Sequence, residues 1–176
     1  NYEKIEFVSE GAVLRGRLYR PSNVSADVPV VIMAHGFSVL AAWLEDFVTD
    51  FAQAGFAVLV FDHRNFGESD GTPRYGFDNL LQIRGYRDAI NFVASQRGID
   101  QQKIAVWGES ATSLVAQFIA VLDDRVRHHR EALRQAIHAS GRHVITARVT
   151  APTFGGASWL SHASLLAGVN TANPAD

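Results

Sequence analysis

The chain has 176 residues, 47% hydrophobic and 19% charged, with a net charge of −2. At this length one core can bury about 70% of the unfolded surface, so a single domain over residues 1–176 is expected. The near-neutral balance offers no basic field for nucleic acid or an anionic membrane. No apolar run approaches the roughly 18 residues that span a bilayer, and no basic-then-apolar leader opens the chain, so the cytoplasm is the expected compartment. The opening Asn1 in place of Met leaves a removed targeting segment open. With no cysteine, disulfides, thiolate zinc sites and cysteine nucleophiles are excluded together, and covalent chemistry must use an oxygen or nitrogen nucleophile.

In chain order, Glu3 to Arg20 reads as two short strands about Gly11, an edge hairpin. Val28 to Ala34 (VPVVIMA) is a continuous apolar run of strand length, as a strand buried on both faces requires. Leu44, Phe47, Val48 and Phe51 follow helical spacing, with Gly55 placed to end that helix. Phe56 to Phe61 is the next buried strand. Ile83, Tyr86, Ala89, Ile90 and Val93 form one helical stripe closed by Gly98, and Lys103 to Trp107 is a third apolar strand. Strand and helix alternate, which predicts an α/β fold: a mostly parallel, doubly wound sheet with helices on both faces. Ser113 to Leu122 is apolar nearly all round and reads as a helix buried against that sheet. Beyond it the signal thins: His128 to Ile137 can form an amphipathic helix, His143 to Val149 one more strand, and Trp159 to Leu166 is a short apolar segment of open type.

Gly108-Glu109-Ser110-Ala111-Thr112 lies between a strand and a helix, the context in which G-x-S-x-G forms a nucleophile elbow. Threonine at the last position departs from the motif and raises the question of strain or a displaced elbow. Taken alone, Ser110 reads equally well as the N-cap of the following helix. Two more segments follow strand C-termini: His35-Gly36-Phe37 after Ala34, and Asp62-His63-Arg64-Asn65-Phe66-Gly67-Glu68-Ser69-Asp70-Gly71 after Phe61. In an open α/β sheet ligands bind at that edge, so the three loops describe one site.

Over about residues 5–122 the chain resembles the α/β-hydrolase family, most closely its dienelactone-hydrolase-like and X-Pro-peptidase-like branch, which carries an HGF loop, a D-x-R-x-x-G-x-S-x-G loop and a G-x-S elbow in this order. The resemblance implies a serine hydrolase of esterase type. Ser110 would attack a carboxylic ester or related small acyl substrate, and the amides of Phe37 and Ala111 would form the oxyanion hole. Glu109 would support the turn. His35 and His63 precede the elbow, whereas the family takes its base from after the nucleophile, so both are expected to be structural. Asp62 and Arg64 are expected to pair and brace their loop.

The 66 residues after Ser110 (111–176) hold two strand-helix units at most, fewer than complete family members have, and residues 123–176 do not resemble the usual continuation. Candidate bases are His128, His129, His138, His143 and His162, with His162 preferred for its place between Ser161 and Ser164. Asp123, Asp124 and Glu131 are the acids at hand, none of them selected by motif; Asp123 and Asp124 sit roughly 20 Å along the helix from Ser110 and are poor partners. A catalytically silent binding domain is the competing reading. A nucleotide-binding domain is disfavoured because neither G-x-G-x-x-G nor a P-loop follows a strand. No metal or cofactor is implied. A sheet ending early would leave an edge that favours a homodimer.

Overall fold

The computed structural model describes residues 2–22, 26–37 and 39–126, together with the backbone of a strand at Ser164–Ala167. Strands β1 (Tyr2–Ser9) and β2 (Ala12–Tyr19) form the expected hairpin. The two residues between them, Glu10 and Gly11, both have positive φ (47° and 76°), the backbone pattern that matches a two-residue turn to the twist of its strands. β3 (Val28–Ala34) leads through a 3-10 turn at Ala41–Leu44 into α1 (Glu45–Gln53), which ends at Gly55 (φ 87°) as expected. β4 (Ala57–Phe61) follows, and then α2 (Asn79–Ala94), capped at its start by Asp78, whose carboxylate accepts from the amides of Leu80 and Leu81. β5 (Ile99–Glu109) runs directly into α3 (Ala111–Leu122).

The sheet order is β1-β2-β4-β3-β5-β6, with β6 at Ser164–Ala167. β4, β3 and β5 are parallel and central; the hairpin joins antiparallel through β2 on one side, and β6 pairs antiparallel with β5 on the other. The sheet is therefore mixed, with its parallel part in the middle. Part of the open segment 159–166 thus lies in a strand, whereas the helix and strand expected at 128–149 lie outside the described residues.

The alternation of side chains along β3 divides the core. Val30, Ile32 and Ala34 face Tyr86, Ala89, Ile90 and Val93 of α2 and Val115, Ala116 and Ile119 of α3. Val31 and Met33 face Leu44, Val48 and Phe51 beside Trp107. Each Val, Leu, Ile, Phe or Met among them contributes roughly 1.5–3 kcal/mol when removed from water, so helices are held on both faces of the central strands. The expectation for α3 needs correction. Only Thr112, Val115, Ala116 and Ile119 are buried, while Leu114, Phe118, Val121 and Leu122 are exposed. Apolar composition marked the helix without marking which face it buries. No helix among the described residues is long and apolar enough to cross a membrane.

Candidate active site

Ala34 at the end of β3 is in register with Phe61 of β4 on one side and Gly108 of β5 on the other. The chain therefore leaves the sheet three times at one level on neighbouring strands. His35-Gly36-Phe37, the loop from Asp62 and the turn at Ser110 emerge side by side, as their order in the sequence predicts.

Ser110 connects β5 to α3 with φ 52° and ψ −122°. An ordinary N-cap has extended backbone and a side chain that accepts from the first helical amides. Ser110 has neither, for its side chain makes no capping hydrogen bond. Its carbonyl instead accepts from the amide and the hydroxyl of Ser113, at 3.0 and 2.6 Å. A non-glycine residue in this region stores on the order of 1–3 kcal/mol of strain and persists only where its surroundings enforce it. Two glycines enforce it. A β-carbon on Gly108 would lie 2.3 Å from the Thr112 carbonyl oxygen, so only glycine lets the strand fold back onto the first turn of α3. A β-carbon on Gly36 would lie 2.9 Å from the Glu109 carbonyl oxygen and 3.0 Å from Ser110 Cβ, so the loop after β3 packs against the serine turn itself. Of Glu109, it is the backbone that makes this close approach.

Thr112 does not displace the turn. It is buried, and its hydroxyl donates to the His35 carbonyl at 2.6 Å while standing 3.1 Å from His63 Nε2. The hydroxyl proton is committed to that carbonyl, so Nε2 of His63 must be the donor to Thr112, and Nδ1 is left as a buried nitrogen without a partner. His35 takes the other tautomer. Its Nδ1 lies 2.8 Å from the Gly36 carbonyl, to which it donates, and its Nε2 accepts the His63 amide at 3.2 Å. Asp62 Oδ1 is 3.6 Å from that Nε2, but an acceptor nitrogen makes no ion pair with it. The two rings meet edge to face at 5.0 Å among Phe61, Phe66 and Tyr86. Burial holds both imidazoles below their ordinary pKa, His63 well below, with the nearby His35 adding to the effect on His63. Both are thus neutral structural groups, as their position before the elbow suggests.

The loop after β4 is braced differently from the expectation. Asp62 and Arg64 do not pair. Asp62 accepts from the amides of Ala41 at 2.9 Å and Glu68 at 3.1 Å, whereas Arg64 donates to the Glu10 carbonyl at 2.8 Å. A carboxylate close to two unsatisfied amides is better used on them than on a guanidinium that can reach the hairpin turn. Ser69 donates to the Asp62 carbonyl at 2.6 Å and accepts from the Arg15 amide, and Asp70 pairs with the Arg15 guanidinium at 2.6 Å. Gly67 and Gly71 adopt positive φ where any β-carbon would fall 2.1 Å from Asp62 or Asn65. Arg64, Ser69 and Asp70 therefore tie this loop to the hairpin.

Phe37 follows Gly36 in the turn after β3, and Ala111 follows Ser110 as the first residue of α3. His162 lies outside the described residues, as do His128, His129, His138, His143 and Glu131. Asp123 is engaged by Arg125 at 2.6 and 2.9 Å, whose hydrogen bond holds the carboxyl below its usual range. Of the aromatic residues in these loops, Phe37, Trp43 and Tyr75 are exposed and Phe66 is buried. A cavity of about 290 Å³ opens on the outer side of the Asp62 loop, between Leu40, Glu68, Arg74 and Tyr75; Ser110 does not line it. Among the described residues no cluster of three or more His, Asp or Glu could hold a metal ion.

The linkage of Thr112, His35 and His63 was not legible as such; its one trace is the threonine where the motif has glycine.

Comparison with known proteins bears out the fold. The serine aminopeptidase S33 family model matches residues 26–168. The thiohydrolase aneE of Aspergillus aculeatus is 41% identical over 128 residues, covering 72% of this chain and 39% of that protein. The polyketide transferase claH of Penicillium crustosum is 41% identical over 130 residues, 72% of this chain and 42% of that protein. Among solved structures, the α/β-hydrolase GrgF from Penicillium sp. sh18 superposes with a TM-score of 0.67 at 31% identity, over 72% of this chain and 44% of that one. The chain thus spans about two fifths of the length of these relatives. By the S33 match, the strand order and the turn at Ser110, it belongs to the serine aminopeptidase S33 family of α/β-hydrolases.

Proposed function

We propose that this chain carries the nucleophile of a serine hydrolase that cleaves a carboxylic ester or thioester through an acyl-Ser110 intermediate. The observation that carries the reading is the backbone of Ser110, held at φ 52° and ψ −122° with no capping bond. A helix cap needs no such strain, whereas a nucleophile lifted clear of a sheet edge does. The names of the thiohydrolase and polyketide transferase relatives favour an activated acyl substrate and extend the choice from esters to thioesters.

In this reading Ser110 Oγ attacks the acyl carbon as a base takes its proton. The carbonyl π electrons move to oxygen, where the amides of Phe37 and Ala111 receive the charge; a single donor of this kind is worth about 2.7–4 kcal/mol of barrier. Collapse breaks the carbon–oxygen or carbon–sulfur bond, and the leaving alkoxide or thiolate recovers the proton from the base. Water then repeats the sequence on the acyl-serine, releasing the acid and Ser110. His35 and His63 are committed elsewhere, so the base belongs after the nucleophile, with His162 the residue we assign. The direct assay offers hexanoyl-N-acetylcysteamine and p-nitrophenyl hexanoate to the chain and follows acid release, with intact mass taken during turnover. A hexanoyl adduct on Ser110, lost in Ser110→Ala, is expected. Turnover that survives Ser110→Ala would sink the assignment.

A further inference from the structure

We propose that Thr112 is a positioning residue, whose hydroxyl fixes the His35-Gly36-Phe37 loop against Ser110 and so sets the Phe37 amide for the oxyanion. The inference rests on the reading of Ser110 as a nucleophile.

Three observations meet at this one hydroxyl. First, it donates to the His35 carbonyl at 2.6 Å across 77 residues of sequence, directly joining the first turn of α3 to the loop after β3. Second, that loop packs on the serine turn so closely that a β-carbon on Gly36 would stand 2.9 Å from the Glu109 carbonyl oxygen and 3.0 Å from Ser110 Cβ. A displacement of the His35 carbonyl therefore passes to the next residues, Gly36 and Phe37. Third, the hydroxyl's one proton goes to the His35 carbonyl, and its oxygen is left to accept from His63. The neutral ring donates Nε2–H to the hydroxyl oxygen at 3.1 Å, so the hydroxyl is held from the loop after β4 as well as from the loop after β3. The ring is itself locked by burial, with the His63 amide held by His35 Nε2 at 3.2 Å. His63, Thr112 and the His35 carbonyl thus form a closed, buried relay that spans the ends of β4, β5 and β3. A glycine at position 112, as the elbow motif prescribes, would have no hydroxyl to make it.

The test compares Thr112→Val, Thr112→Ala and Thr112→Ser with the unaltered chain, using the rate of fluorophosphonate labelling at Ser110 and kcat and KM for p-nitrophenyl acetate. A misplacement near 1 Å can lower the rate on the order of a hundredfold. Valine and alanine are expected to slow labelling tenfold to a hundredfold, with the loss in kcat and KM within about twofold, because the loop meets the developing charge and not the bound substrate. Serine keeps the hydroxyl and should stay within about threefold of the unaltered chain. Wild-type labelling rates in folded Thr112→Val and Thr112→Ala would overturn the inference and leave the nucleophile standing. Collapse of both variants below the assay temperature would also overturn it, since Thr112 would then serve the fold rather than the loop. Absence of labelling in the unaltered chain would remove the nucleophile reading and this inference with it.

Discussion

Gly108 packs against Thr112 so closely that a β-carbon on the glycine would stand 2.3 Å from the threonine carbonyl oxygen and 2.6 Å from its carbonyl carbon. Those atoms belong to helix backbone and cannot rotate away. Gly108→Ala is therefore expected near the upper end of the overpacking range, about 3 kcal/mol. For a chain of this size that lowers the melting temperature by roughly 6–12 °C. Gly11 has φ 76° with nothing within 4 Å, so Gly11→Ala should cost only backbone strain of about 1 kcal/mol. Equal melting temperatures for the two variants would contradict the tight strand-to-helix packing.

Gly36 separates activity from stability. Its neighbours are Glu109 and Ser110, so the extra methyl group of Gly36→Ala pushes the loop away from the serine turn. Labelling of Ser110 by a fluorophosphonate is expected to slow at least tenfold, whereas the melting temperature falls by only a few degrees. A variant that labels at the original rate would show that this loop has no part in receiving the substrate's oxygen.

The buried imidazole pair predicts a dependence of stability on pH with a definite sign. Both rings have folded pKa values below the ordinary 6.5, and both are neutral in the fold. Above about pH 7 neither state binds the proton and nothing is lost. As pH falls through 6.5 the unfolded chain takes up protons that the folded chain refuses, so stability drops toward the lowered folded values. Each ring contributes a slope of up to about 1.4 kcal/mol per pH unit. Urea unfolding between pH 7.5 and 5.5 should show this fall, and His63→Gln should flatten it by the share of one proton. An unchanged slope in that variant would mean that His63 is not held neutral.

Much of this architecture is written locally. Val28 to Ala34 announces itself as a buried strand because it is apolar on both faces, and β3 occupies those residues. The stripe from Tyr86 to Val93 is a helix face for the equally local reason of 3.6-residue spacing. The turn at Ser110 was legible only as two alternatives, since serine suits both a cap and an elbow, and backbone conformation decides between them. Pairing of Asp62 with Arg64 followed from charge and proximity in sequence, but the amides of Ala41 and Glu68 compete for that carboxylate and win. Long-range bonds of this kind leave no periodic mark. Neither does the exposed face of α3, whose Phe118 and Val121 are as apolar as the residues it buries.

Whether Ser110 is an activated nucleophile is answered directly by intact-mass analysis after treatment with a fluorophosphonate probe. The chain and its Ser110→Ala variant would be treated in parallel, with folding of both established by circular dichroism. One adduct per chain, absent from the variant, is the predicted result, and it would make the late histidines, His162 first, the residues to replace next. A folded chain that takes up no probe would contradict the central claim, leaving the strained turn as architecture and the chain as a catalytically silent member of its family.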